Sequence, residues 1–128
     1  YQTAPCYAAI NDFSTGTIFS PNYPEYYPND KICTWKLQVP IGFAIYMDCT
    51  KFKFWIENSV NCQNDLMLIS LNGRDDFADG ISFCGRRPPP PFRSFDNTLT
   101  ILFKSNPWYH YTGFRCDFQA VPIGHYFV

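Results

Sequence analysis

The residues with the most definite chemistry in this chain are its six cysteines. No two of them form a CxxC pair, and neither histidine lies among them at the spacing of a zinc site. An even number of cysteines in a short chain is typical of a disulfide framework that forms in an oxidising compartment. A reactive thiol is the alternative, and the even count favours the structural role. We therefore predict a secreted, extracellular protein. The cysteines are Cys6, Cys33, Cys49, Cys62, Cys84 and Cys116.

Patterns that would support catalysis are weak. Residues 80–84 (GISFC) approach the Gly-x-Ser-x-Gly pattern of a hydrolase nucleophile but end in a cysteine. The two histidines are His110 and His125, and a nucleophile would depend on His110 without an evident acid to orient it. The acids within residues 75–79 suggest acid catalysis or a cation site, although adjacent acids in a glycine-flanked loop are usually solvated. We predict that the chain is not an enzyme.

Two groups of side chains are candidate contact surfaces. Arg86 and Arg87 precede the proline run 88–91, and two guanidinium groups on a stiff loop suit a carboxylate, a sulfate or an aromatic face. A solvent-facing basic pair is the alternative. The second group is an aromatic loop, because aromatic side chains give a large contact area at a small entropic cost. It consists of Trp108, Tyr109, His110 and Tyr111. The alternative is that Trp108 and Tyr111 cover one end of the core.

Length and charge limit the remaining classes. The 128 residues suffice for one domain with its own core, which we place at 1–121, with a C-terminal tail at 122–128 that either frays or docks on a neighbour. The 10 Lys and Arg residues nearly balance the 11 Asp and Glu residues, which argues against a nucleic-acid partner. No apolar run approaches the ~20 residues of a membrane span. We expect no membrane insertion. The sequence is compatible with a monomer or a homo-oligomer.

The elements that must position these residues are predicted to be strands. The apolar stretches are short and rich in β-branched and aromatic residues, and turn signals such as Asn72-Gly73 and the proline run separate them. Short strands at this spacing predict an all-β sandwich or jelly roll. The predicted strands are residues 34–39, 43–47, 65–71, 98–104 and 113–120.

Several short motifs follow one another along nearly the whole chain. They are Cys6, the run GTIFSPNYP at 16–24, Tyr27-Pro28-Asn29, Cys33-Thr34-Trp35, Ile56-Glu57, Cys62, Asp65, Phe83-Cys84-Gly85, residues 99–105 and Thr112-Gly113-Phe114. Their order and spacing resemble the CUB domain. That resemblance implies a jelly-roll sandwich of two antiparallel sheets, used outside cells for recognition and assembly.

The resemblance also implies the disulfide pairing. The family pairs its first cysteine with its second and its third with its fourth, which gives Cys6 with Cys33 and Cys62 with Cys84. Two cysteines remain, and both are expected to face inward on neighbouring strands. We therefore predict a third bridge that joins Cys49 with Cys116.

Many CUB domains bind one calcium ion through a Glu, an Asp and a second Asp, and the first two positions match Glu57 and Asp65. The third position departs from the family pattern, since Asn106 stands in place of the aspartate and Pro107 follows it. A neutral amide removes one negative charge from a site for a hard cation, which weakens binding. Two interpretations stand: a calcium site at Glu57, Asp65 and Asn106, or solvated loop carboxylates. Without an ion, two close carboxylates need a donor such as Lys104 or a tyrosine hydroxyl.

Three hypotheses of function follow from the resemblance. The first is a non-catalytic extracellular module that recognises or assembles with another protein, with calcium organising the loops. The second is a free-standing, spermadhesin-like protein that binds glycans or self-assembles. The third is an accessory domain of a larger secreted protease, whose chemistry lies outside these residues.

Overall fold

The structure is a computed structural model that describes residues 2–4, 6, 8–12, 14–108 and 110–123. Within these residues the chain forms strands and one short 3-10 helix, Val60–Cys62. No helix in this part of the chain is long and apolar enough to cross a membrane. The strands are β1 (Gln2–Ala4), β2 (Ala8–Asn11), β3 (Thr15–Phe19), β4 (Ile32–Gln38), β5 (Phe43–Asp48), β6 (Leu66–Ser70), β7 (Ile81–Phe83), β8 (Phe92–Arg93), β9 (Thr98–Lys104) and β10 (Arg115–Pro122).

The strands form two five-stranded sheets, ordered β1-β3-β10-β5-β8 and β2-β4-β9-β6-β7. Neighbouring strands are antiparallel, except that β1 pairs with β3 and β2 with β4 in parallel. The expectation of purely antiparallel sheets therefore misses one parallel edge in each sheet. The predicted all-β jelly-roll sandwich is confirmed.

The two sheets pack face to face over a core that the alternation in β4 illustrates. Trp35 and Leu37 are buried, whereas Lys36 between them is exposed, because successive side chains of a strand point to opposite faces. The ring centroids of Trp35 and Phe103 lie 5.9 and 5.6 Å from that of Phe114, both in edge-to-face arrangements. The aromatic content of the sequence is thus used to fill the space between the sheets.

The five predicted strands correspond to β4, β5, β6, β9 and β10, and the bounds of β9 match. Strand β10 begins two residues after its predicted start, because Gly113 has a φ of +77°, which extended residues do not adopt. Residues 16–19 of the motif at 16–24 form most of β3, a strand that was not predicted from the sequence. Strand β10 includes Pro122, and Ile123 N–H donates to the Gly42 carbonyl at 2.9 Å. Residues 124–128 of the expected tail lie outside the described residues.

Three disulfides crosslink the sandwich, and they join the same pairs of cysteines that were expected from the sequence. Cys49 at the end of β5 and Cys116 in β10 are buried, with 1% and 0% exposure. This bridge has a sequence separation of 67 residues, against 27 and 22 for the others. The pairs are Cys6–Cys33, Cys49–Cys116 and Cys62–Cys84.

We predict that the Cys49–Cys116 bridge contributes most to stability. In the chain-entropy model, loss of a 67-residue crosslink costs about 4.4 kcal/mol and loss of a 22-residue crosslink about 3.4 kcal/mol. The double variants C49A/C116A and C62A/C84A should therefore differ by about 1 kcal/mol in free energy of unfolding, measured by urea titration. Burial of the first pair increases the difference. An equal or larger loss in C62A/C84A would contradict this ranking.

Candidate functional site

The register between β6 and β9 brings Asp65 and Asn106 together at one end of the sandwich. Leu66 pairs with Lys104, so the residue that precedes β6 lies beside the residues that follow β9. The Asn106 backbone N–H donates to Asp65 Oδ1 at 2.7 Å. The Ser105 hydroxyl donates to the Pro28 carbonyl at 2.8 Å, so the loop that contains Pro28 is held next to this position. Two of the three residues of the predicted calcium site are therefore in direct contact.

Glu57 reaches the same end on an irregular segment held between two glycines. Trp55 pairs with Gly113 and Ile56 with Gly85 as isolated β-bridges. Gly113 has a φ of +77°, and a Cβ atom there would lie 1.8 Å from the Ser20 hydroxyl. Only glycine allows the chain to approach so closely. This constraint fixes the segment that carries Glu57.

Tyr27 connects the two acids. Its hydroxyl donates to Asp65 Oδ2 at 2.5 Å and accepts from Glu57 N–H at 3.1 Å. Its ring is buried and lies edge-on to Phe103 at 5.0 Å between centroids. Burial, followed by the hydrogen bond to Asp65, raises the pKa of Tyr27 above its usual range, so this hydroxyl keeps its proton.

The two carboxyl groups are buried, so the interpretation of them as solvated loop acids is wrong. Glu57 is 6% exposed and Asp65 is 0% exposed. Burial raises the pKa of Asp65, and the nearby charge of Glu57 acts in the same direction. The hydrogen bonds from Tyr27 and the Asn106 N–H oppose this change. The expected tyrosine donor is therefore present and is Tyr27.

One oxygen of this cluster has no partner. Glu57 Oε2 accepts from Asn64 Nδ2 at 3.0 Å, whereas Glu57 Oε1 is buried without a hydrogen bond. Asn106 Oδ1 accepts from Trp108 N–H at 3.2 Å. An unpartnered buried carboxylate oxygen costs free energy unless a cation or donor meets it.

The side-chain oxygens of Glu57, Asp65 and Asn106 are suitable ligands for a hard cation such as calcium, although the set has one carboxylate fewer than the family pattern. Carboxylate and amide oxygens are the ligands that calcium takes, and Glu57 Oε1 points to a missing positive partner. No group of three His, Cys, Asp or Glu side chains with metal-site geometry lies among the described residues. Asn106 is consistent with that result, because it supplies an amide where a third acid would stand.

The structure divides the predicted aromatic loop. Trp108 is 72% exposed, so it does not cover the core. Tyr111 is half-buried against the core and stacks on Trp55, with ring centroids 4.7 Å apart. His110 is exposed and lies 5.3 Å from the ring of Tyr26. Tyr109 lies outside the described residues.

Arg86 and Arg87 are both exposed. The Arg86 guanidinium carbon lies 4.5 Å from the centroid of the Trp55 ring. Trp55 therefore joins the arginine loop to Tyr111 of the aromatic loop. Trp55 was not among the residues predicted from the sequence. An aromatic face was one of the three groups expected to suit Arg86 and Arg87, and Trp55 provides that face for Arg86.

The acidic loop at 75–79 does not form a shared site. Asp75 pairs with Lys36 at 3.1 Å, and Asp76 pairs with Arg74 at 2.7 Å. Asp79 accepts from the Ser70 hydroxyl at 2.6 Å. Each acid thus has its own partner, which argues against a common cation or an acid pair.

Comparison with known proteins is consistent with these features. The CUB domain family model matches residues 6–118. Mouse membrane frizzled-related protein is 30% identical over 107 residues, which cover 83% of this chain and 18% of that protein. Dog cubilin is 33% identical over 107 residues, which cover 84% of this chain and 3% of that protein. The chain thus spans less than a fifth of these relatives.

Solved structures show the same fold. The full extracellular region of zebrafish Gpr126/Adgrg6 superposes with a TM-score of 0.82 and 25% identity, covering 94% of this chain and 15% of that chain. The MASP-1 CUB2 domain bound to Ca²⁺ superposes with a TM-score of 0.77 and 27% identity, covering 89% of this chain and 99% of that chain. The sandwich, the three disulfides and the family match together show that this chain belongs to the CUB domain family.

Proposed function

We propose that this chain is a non-catalytic extracellular module that recognises another protein through a calcium-organised loop end. The observation that carries the proposal is the buried cluster of Glu57, Asp65 and Tyr27, in which Glu57 Oε1 has no partner. A related domain, the MASP-1 CUB2 domain, is bound to Ca²⁺. Bound calcium would supply the positive charge that these acids lack.

The residues of the chain have separate roles in this proposal. Glu57 and Asp65 bind the ion as charged ligands, and Asn106 contributes an amide oxygen. Tyr27 holds Asp65 in place through its protonated hydroxyl. Two bridges fix the segment before Glu57, so the site is largely organised before the ion binds.

The partner surface we propose is the loop end around this site. Trp108 is 72% exposed beside Asn106, and a large exposed aromatic ring is a typical contact in protein interfaces. A basic side chain of the partner would complement the acids, which gives specificity through opposite charge. In this proposal these residues bind the ion and the partner and have no catalytic role.

We predict that calcium raises the melting temperature of the chain and that Asp65→Asn removes the effect. With a Kd of about 0.1 to 1 mM, about 1 mM calcium stabilises by about 0.4 to 1.4 kcal/mol, a shift of roughly 1 to 5 °C. Asparagine keeps the shape of Asp65 and an acceptor for the Asn106 N–H but removes the charge. Differential scanning calorimetry of the chelator-treated protein, with and without calcium, measures the shift.

The matched control is Asp96→Asn, which removes a charge from an exposed acid outside the cluster. It should keep the full calcium shift. An equal shift in wild type and Asp65→Asn would show that the ion binds elsewhere. No shift in wild type would remove calcium from the proposal and leave an ion-independent binding module.

We also predict that Asn106→Asp strengthens calcium binding. This change adds the third carboxylate of the family pattern at the position whose backbone already contacts Asp65. Affinity should increase about tenfold, a gain of ~1.4 kcal/mol, as isothermal titration calorimetry can measure. Without calcium the variant should be less stable than wild type, because a third acid adds repulsion. Unchanged affinity would argue against Asn106 as a ligand position.

A further inference from the structure

Cations lie over aromatic rings along a surface that the calcium site does not use. The Arg115 guanidinium carbon lies 4.0 Å from the ring centroid of Phe52. Lys53 Nζ lies 5.6 Å and the Arg86 guanidinium carbon 4.5 Å from that of Trp55. We name these five residues the cation-aromatic strip. Three of its members, Phe52, Lys53 and Trp55, belong to one short stretch of chain.

The rings hold these cations in defined positions. Trp55 is fixed by its bridge to Gly113 and by the stacked ring of Tyr111. A cation over an aromatic face is attracted by the ring electrons, and a guanidinium group in such a contact can still donate hydrogen bonds from its edge. Phe52 is 37% exposed, so part of its ring is also open to a ligand. The strip is therefore ordered before a ligand binds.

The positive charge of the strip is only partly neutralised. Arg115 lies 3.5 Å from Asp117. Lys53 and Arg86 form no ion pair with any carboxylate in the described part of the chain, and both are exposed. The acids at 75 and 76 are paired with other cations, as described above. A chain with a net charge of −1 thus presents two exposed cations that have no acidic partner among the described residues, at 5.6 and 4.5 Å from the centroid of the Trp55 ring.

We propose that the cation-aromatic strip binds a sulfated polysaccharide. Guanidinium and ammonium groups donate to sulfate oxygens, and the planar Arg86 group suits a two-point contact. A polysaccharide carries its sulfates along an extended chain, which matches cations distributed along a surface. The exposed part of Phe52 gives the sugar rings an apolar contact. The proposal does not depend on calcium.

The experiment measures binding to immobilised heparin, a sulfated polysaccharide, in the presence of a calcium chelator. The chelator separates this proposal from the proposed function, because the calcium site is then inactive. Wild type should bind, and K53A/R86A should bind about tenfold more weakly through loss of two charge contacts. Binding should also weaken as salt increases, since the contacts are exposed.

The matched control is K36A/R74A, which removes two cations that already have acidic partners. It should change heparin affinity less than about twofold. Equal losses in both double variants would show non-specific attraction and overturn the proposal. Absence of heparin binding by wild type at low salt would also overturn it. Poly-glutamate that binds wild type as tightly as heparin, and is lost in K53A/R86A, would instead assign the strip to an acidic protein.

Discussion

Burial of two acids at one end of the sandwich is the constraint on which the site depends. A carboxyl group removed from water is tolerated only when donors or a cation replace its hydration. Asp65 has two donors, the Tyr27 hydroxyl and the Asn106 N–H, both short. Glu57 has one donor for two oxygens. The difference between these two acids is the observation on which the proposed calcium site rests.

The sheet register and the glycine bridges place these groups. The pairing of Leu66 with Lys104 brings the start of β6 and the end of β9 to one corner of the sandwich. A shift of this strand register by one residue would turn Asp65 toward the opposite face. Gly113 lies so close to the Ser20 hydroxyl that no side chain fits there, and its bridge to Trp55 holds the segment before Glu57. The disulfide between Cys49 and Cys116 joins the end of β5 to β10. These two strands lie in one sheet, whereas β6 and β9 lie in the other. Site geometry is thus a product of contacts throughout the fold.

Much of the fold could be predicted from the sequence, because long strands carry a periodic signal. Strand β9 has seven residues with clear apolar content, and its bounds were predicted correctly. Strands β7 and β8 have three and two residues, too few to show any period. The parallel edges could not be predicted, since strand direction depends on pairing across the sandwich and not on local composition.

The site was predicted less completely. Matching to the family pattern selected Glu57, Asp65 and Asn106, but local sequence gives no measure of burial, so solvated acids stayed an open alternative. A tyrosine hydroxyl was expected as a donor, but the sequence did not indicate which one, and the contacts of the Tyr27 hydroxyl with Asp65 and Glu57 are evident only in three dimensions. Trp55 was missed for a similar reason: Tyr111 and Arg86 reach it from distant parts of the sequence.

The two glycine bridges hold Trp55 and Ile56, and Glu57 follows directly on the same short segment. A ligand that orders this segment at Trp55 or at Glu57 would therefore also favour the ordered conformation of the other residue. Thermodynamic linkage makes such an effect reciprocal: whatever free energy one ligand gains from an already ordered segment, the second gains equally from the first. If both proposed ligands bind, their binding free energies are therefore expected to be coupled through this segment, although each ligand can bind without the other.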